Sequence, residues 1–281
     1  MTHKLLLFIA VTIPLLCFKG IGIDFNTKKE PIFNREKDLL LVQFDCKTDV
    51  DDLHTIAAFK TLISNSAFSD VQYHAVAGTY GIQEGLYVPP NVLCKSSFGN
   101  NWTDADKNLK NAIEKVTAIA LKTLSKDGAI WIAEAGQSDF TAALIKVITL
   151  ELGGKNISKH IHVVQHSDWN EKQTSKESLA FVKEHSSYQK IPDGNSMENG
   201  TPGFCDPNFN SWRDHIKDPK LIEVWQLAMD LSNTYNGKEG RYDNKAISDG
   251  GMDFSDLVEV CWILGIPHIK DTEQFFREYS L

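Results

Sequence analysis

The segment Phe44-Asp45-Cys46-Lys47-Thr48-Asp49-Val50-Asp51-Asp52-Leu53 sets four carboxylates within eight positions, between an apolar run and an amphipathic one. Like charges this close repel, so such a loop costs stability unless something positive answers it. One or two acids at a helix start satisfy free N–H groups and complement the helix dipole. Four exceed that need, and a hard cation such as Ca2+, which takes about six to eight oxygen ligands, is a natural answer. An EF-hand loop does not fit, because its turn glycine at the sixth position and its distal Glu are both missing. The Asp-x-Asp pair of aspartate-nucleophile phosphatases is broken by Lys47.

The elements that must carry this loop follow from the apolar period. Residues 39–44 are a continuous apolar run and read as a buried strand, and a helix starts at Asp52 with Leu53, Ile56, Ala57, Phe59, Leu62 and Ile63 on its inner side. The unit repeats: strands at 71–77, 129–133 and 161–165, and helices at 111–124, 141–152, about 175–182, 221–235 and about 253–264. Strands alternating with helices predict an α/β fold, a doubly wound, mostly parallel sheet in a single domain. Residues 80–101 and 187–210 read as loop-rich.

Polar residues gather at the carboxyl ends of these strands. Gly78 and Thr79 follow the second strand, Glu134, Ser138 and Asp139 the third, and Asp168 and Asn170 the fourth. In an open parallel sheet those ends share one rim, above which ligands bind. His166 precedes Asp168 by two residues, so strand alternation aims it at the same rim. Tyr80, Trp102, Trp169, Phe204 and Trp212 are candidates to stack on a planar ligand, or simply to pack.

Composition narrows the partners. Of 281 residues, 42% are hydrophobic and 10% aromatic, enough for a sizeable core. The formal charge of −8 repels phosphate backbones and anionic lipid, so no nucleic-acid partner is expected. Residues 1–22 have a basic start (His3, Lys4), an apolar run to Phe18 and small residues at Gly20 and Gly22. That layout reads as a cleaved export leader, leaving residues 23–281 as the mature domain, secreted or periplasmic and free of the membrane. The apolar run is shorter than the roughly 20 residues of a spanning helix and holds Pro14. Cys46, Cys94, Cys205 and Cys261 form no CxxC pair, which removes the usual support for zinc, and a single bridge between Cys94 and Cys205 is one reading of the set. Asn101, Asn156 and Asn199 open N-x-S/T sequons.

With these residues in view, the chain resembles the nucleoside hydrolases, whose first strand runs into an Asp-x-Asp-x-x-x-Asp-Asp loop. Asp45, Asp51 and Asp52 match by spacing, and Lys47 does not. Ala135-Gly136-Gln137-Ser138-Asp139 looks like that family's Gly-Pro-Leu-Thr-Asn loop, Asp168-Trp169-Asn170 like its Glu-Phe-Asn, and Met252-Asp253-Phe254-Ser255 like its His-Asp-Pro-Leu. The resemblance spans residues 39–264. It implies hydrolysis of the N-glycosidic bond of a ribonucleoside, with calcium holding the sugar hydroxyls and the attacking water. It further implies that Asp51 binds the ribose 2′-hydroxyl, that Asp52, the Ser138 carbonyl and Asp253 ligate calcium, and that Asp168 and Asn170 hold the far side of the ring. Asp249, in Ser248-Asp249-Gly250-Gly251, competes with Asp253 as the distal ligand. A homo-oligomer is implied in the same way.

Three positions depart from the pattern. Lys47 stands where the family has the aspartate that both ligates calcium and takes the proton, and an ammonium has donors only. Its charge is expected among Asp51, Asp52 and Asp253, in the space of the cation, with Asp49 as the substitute ligand or base. Thr79 replaces an asparagine that contacts ribose, and Met252 replaces a histidine associated with the leaving base. Two functions therefore stand side by side: an N-ribosyl hydrolase with a rebuilt base, and a ribose- or nucleoside-binding protein that has lost turnover. A structural protein reusing the fold is the third.

Overall fold

A computed structural model describes residues 32–194, 204–266 and 269–280. The expected leader at residues 1–22 and the sequon at Asn199 lie outside the described residues. β1 (Leu39–Phe44) is buried along its whole length. Leu40, Val42 and Phe44 enter one hydrophobic core and Leu39 and Leu41 another, as the two-residue period of a strand dictates. A strand buried on both faces is what a parallel sheet covered by helices requires.

The chain continues through α1 (Asp51–Ser64), β2 (Tyr73–Ala77), α2 (Asn91–Phe98), β3 (Trp102–Asp104) and α3 (Leu109–Leu124). The second half runs β4 (Ile130–Ala135), α4 (Asp139–Glu151), β5 (Ile161–Gln165), α5 (Asp168–Gln173), α6 (Lys176–His185) and β6 (Ser187–Lys190). The six strands form one parallel sheet in the order β3-β2-β1-β4-β5-β6. The chain winds outward from β1 to β3, returns to β4 and winds the other way, so the fold is a doubly wound α/β domain whose direction reverses between β1 and β4. α1 and α2 cover one face; α3, α4 and α6 cover the other.

The C-terminal part is β7 (Cys205–Asp206), α7 (Trp212–His215), α8 (Pro219–Tyr235), α9 (Lys245–Ser248), β8 (Met252–Asp253), α10 (Val258–Ile263) and α11 (Thr272–Tyr279). These elements pack on the α1 face, where Trp225, Phe254, Phe275 and Phe276 make an aromatic cluster. Here the sequence reading is corrected. The single helix expected at about 253–264 is a β8 strand paired antiparallel with β7, then a 3-10 turn at Ser255–Leu257, then the short α10. The stretches read as loops contain α2 and β6. β6, Ser-Tyr-Gln-Lys, is a mostly exposed edge strand and so lacks an apolar pattern. The bridge between Cys94 and Cys205 is not formed: all four described cysteines are free, and Cys94 is buried within α2. Among the described residues no helix is long and apolar enough to cross a membrane.

Candidate functional site

In an open α/β sheet the strand-order reversal leaves a crevice at the carboxyl ends of the two strands flanking it. A cavity of about 400 Å3 lies there, with Asp45, Lys47 and Thr48 after β1, Ala135 at the end of β4 and Gly136 just after it in its wall. The two loops touch closely. Gly136 has φ +150°, and a Cβ at that position would stand 2.8 Å from the Asp45 Cβ, so glycine is what lets Asp45 sit there.

At the floor, oxygens of Asp51, Asp52 and Asp256 lie within 4.8 Å of one another. Asp51 and Asp52 open α1, and Asp256 comes from the 3-10 turn before α10. Asp52 Oδ2 accepts the Cys46 N–H at 2.5 Å, while its Oδ1 is buried without a donor. Burial raises all three acids well above the usual carboxylate range. Asp49 adds to the shift of Asp51, Asp45 to that of Asp52, and Asp52 to that of Asp256. Asp49, beside them in the wall, is pushed up to about 7 by burial and by Asp253. Its carboxylate accepts from the Val50 N–H and from Asn244 Nδ2 at 3.2 Å.

A buried polar network holds the floor in place. Asp45 accepts from Lys47 N at 2.7 Å, Gln137 Nε2 at 2.8 Å and Gln83 Nε2 at 3.3 Å. Burial still lifts it to about 6 against those bonds. Gln137 also reaches Asn170 Oδ1, and Asn170 Nδ2 reaches Gln165 Oε1, both at 3.4 Å. Gln165 in turn donates to Gly136 O at 2.7 Å. Glu134 on β4 takes the Ser138 hydroxyl at 2.7 Å and is pushed up to about 7 by burial. On the other side His166 joins two acids: Nδ1 is 2.5 Å from Glu259 Oε1 and Nε2 is 3.5 Å from Asp256 Oδ1. Burial alone would lower its pKa, but Glu259 and Asp256 prevail and carry it to about 9. These two acids favour the protonated ring of His166.

The structure brings together Lys47, Asp49, Asp51, His166 and Asn170 in the cavity wall, with Asp52 beneath. Lys47 does not enter the acid cluster as expected. Its ammonium lies over the Tyr80 ring, 4.3 Å from the centroid, and no carboxylate is within ion-pair distance among the described residues. The other expected site residues stand as follows. Asp168 is turned outward, paired with Lys190. The Ser138 carbonyl accepts the Ala142 N–H at 2.8 Å, as the first hydrogen bond of α4, and Ser138 is not among the residues lining the cavity. Asp253 is held by Asn244 Nδ2 at 2.8 Å and by Ser255 N at 3.1 Å, and stands outside the three-carboxylate cluster. Asp249 caps the end of α9 and is exposed. Thr79 is buried behind the wall, its carbonyl accepting the Gln137 N–H at 3.3 Å.

Sequence reasoning missed Asp256, Glu259, Gln83, Gln137, Asn244 and Tyr242. For Asp256 a signal existed, an acid just before an apolar helical run, but three residues from Asp253 it was masked by the better-placed motif. The negatively charged oxygen donors of Asp51, Asp52 and Asp256, one of them orphaned, could hold a metal ion, and such donors suit a hard cation better than a soft one. The same charge is hostile to a phosphate, and the glycine-rich loop that would cradle a dinucleotide at this reversal point is replaced by Asp45-Cys46-Lys47. No family model matches the chain, and neither a curated protein nor a solved structure matches it.

Proposed function

We propose that this chain, exported by its leader, binds calcium at Asp51, Asp52 and Asp256 and hydrolyses the N-glycosidic bond of a ribonucleoside or related N-riboside in the cavity above. The observation that carries the reading is three carboxylates within 4.8 Å, one oxygen orphaned, at the floor of a cavity at the strand-order reversal. The resemblance of the acidic loop to that of the nucleoside hydrolases supports it from the sequence side. Oxygen ligands at this density fit the cation, which when bound supplies positive charge for sugar hydroxyls and makes water more acidic.

The chain's own residues divide the remaining work. Asp51, in the cavity wall, accepts a hydrogen bond from a ribose hydroxyl. Asn170 presents an amide whose two ends are already oriented by Gln137 and Gln165. Asp49, steered by Asn244, takes the proton of the attacking water. As the water oxygen bonds to C1′, the C1′–N bond breaks with its electron pair leaving on the base nitrogen. The positive charge that develops on the sugar is met by the surrounding carboxylates.

A second reading, a binding protein without turnover, is favoured by Lys47, an ammonium where the resemblance places the proton acceptor. One experiment separates them. Chelator-stripped protein is titrated calorimetrically with calcium, then with ribose and inosine, and release of free base is followed from inosine and uridine. Calcium binding with base release is the expected result. Calcium and inosine binding without release leaves the binding protein, and absence of calcium binding overturns the proposal.

A further inference from the structure

Two of the sequons lie within the described residues, and the fold treats them differently. Asn-x-Ser/Thr with x other than proline is the acceptor of N-linked glycan, a bulky and strongly hydrated group that only a surface position can carry. Asn101-Trp102-Thr103 and Asn156-Ile157-Ser158 satisfy the rule equally well as sequence. What separates them is where each amide nitrogen ends up once the chain has folded.

Asn101 stands at the foot of β3, half-buried, with both ends of its amide in use. Its Nδ2 donates to the Tyr73 carbonyl at 2.6 Å, and its Oδ1 lies 3.2 Å from His74 Nδ1. The third residue of that sequon is committed too: Thr103 is buried in the edge strand, and its Oγ1 is 2.7 Å from His74 Nε2. A sugar on Asn101 Nδ2 would need the space that the β2 backbone fills.

Asn156 is the opposite case. It stands on the link between α4 and β5, where residues 153–156 are all exposed. Gly153 and Gly154 take φ +68° and +78°, and a Cβ on either would meet no atom within 4 Å, so the link runs through open solvent. The next residue, Ile157, is only 8% exposed and joins the core that holds Ile145 and Ile148 of α4, which anchors the link from beneath. Asn156 Oδ1 accepts the Ser158 N–H at 3.0 Å, an Asx turn that orients the amide and leaves Nδ2 without a partner among the described residues. The link precedes β5, so it lies at the amino ends of the strands, away from the cavity at their carboxyl ends.

We propose that Asn156 is an N-glycosylation site of the exported chain and that Asn101 stays bare. The inference rests on the export part of the reading above and not on the riboside part. The donor is a lipid-linked oligosaccharide pyrophosphate. Asn156 Nδ2 bonds to the sugar C1, the C1–O bond to the pyrophosphate breaks with its electron pair leaving on oxygen, and the amide gives up one proton. The Asx turn accepts through Oδ1 and so survives the modification.

The test is expression of the full chain in eukaryotic secretory cells, with Asn101 and Asn156 of the secreted protein read by glycopeptide mass mapping. Wild type is compared with Asn156→Gln, Ser158→Ala and Ser158→Thr. Glycan is expected on Asn156 and not on Asn101; Asn156→Gln and Ser158→Ala should lose it, and Ser158→Thr should keep it. Ser158→Ala retains Asn156 and the backbone N–H of its turn, so its loss reads the sequon and not the fold. A secreted chain with Asn156 bare, or with glycan on Asn101, overturns the inference. A chain retained in the cell removes the export reading instead, and residues 23–281 placed behind a proven secretory leader then decide the inference by the same map.

Discussion

At the β5–β6 end of the rim Glu171 meets two lysines, Lys183 at 2.7 Å and Lys190 at 3.1 Å, and Lys190 also pairs with Asp168. At the β1–β4 reversal, Asp45, Asp49, Asp51 and Asp52 have no lysine or arginine within ion-pair distance among the described residues, although Lys47 lies in their own loop. The pKa directions follow. Lys190 holds Asp168 below its ordinary value, and Glu171 is lowered too: burial would raise it, but Lys183 and Lys190 outweigh that. The enclosed acids are raised, with burial first among the causes. Carboxylates paired with lysines in water form ordinary surface ion pairs of small consequence. Carboxylates crowded at a cavity floor, with His166 beside Asp256 and Glu259 as their nearby basic partner, cost the fold stability, and a ligand that supplies further positive charge recovers it.

The contrast is sharpest in cation binding. Asp52→Asn should weaken calcium on the order of a hundredfold, measured by calorimetry, while Asp168→Asn should stay within about twofold. Equal losses would break the distinction between the two ends. Lys47→Asp adds a carboxylate to the loop and completes the Asp-x-Asp spacing. It should tighten calcium by roughly tenfold and raise base release from inosine; an unchanged titration curve would mean that the loop cannot turn a residue at this position toward Asp51 and Asp52.

Next in size is a pH effect on the calcium-free protein. Asp45, Asp49 and Glu134 have folded-state values of about 6, 7 and 7, above their ordinary ones. An acid with a raised folded pKa releases its proton more readily when unfolded, so its contribution is intact below the ordinary value and is lost as pH rises through the folded one. His166, raised to about 9, has the same sign, its contribution lost as pH rises through that value. Thermal unfolding of chelated protein should therefore fall between about pH 4 and 8, by roughly 2–4 °C for each kcal/mol lost. Calcium should restore it most at the upper end. A Tm that rises with pH in the chelated protein would show that the floor acids are better solvated than their burial implies. The smallest effect is expected at the paired end, where Lys190→Ala should leave both Tm and calcium affinity near wild type.

Much of this architecture is written locally. The apolar run of β1 and the period of α1 are readable because strand and helix geometry impose spacings of two and 3.6 on the chain. The acidic loop between them was legible for the same reason. β3 and β6 were not, being short and at the sheet edges, where little apolar surface is needed. The floor was half legible: Asp51 and Asp52 stand out by type and spacing, whereas Asp256 looks like one acid among several near Asp249 and Asp253.

The sequence by itself determined the alternation of strands and helices and the delivery of carboxylates to the strand ends, since both depend on neighbours along the chain. Tertiary structure decided which distal acid meets Asp51 and Asp52, because the β7–β8 pairing and the 3-10 turn set the direction of Asp253 and Asp256. It also decided that Lys47 turns to Tyr80 and that Asn101 is tied to the Tyr73 carbonyl of β2. Those outcomes come from contacts between segments far apart in sequence, and no local period encodes them.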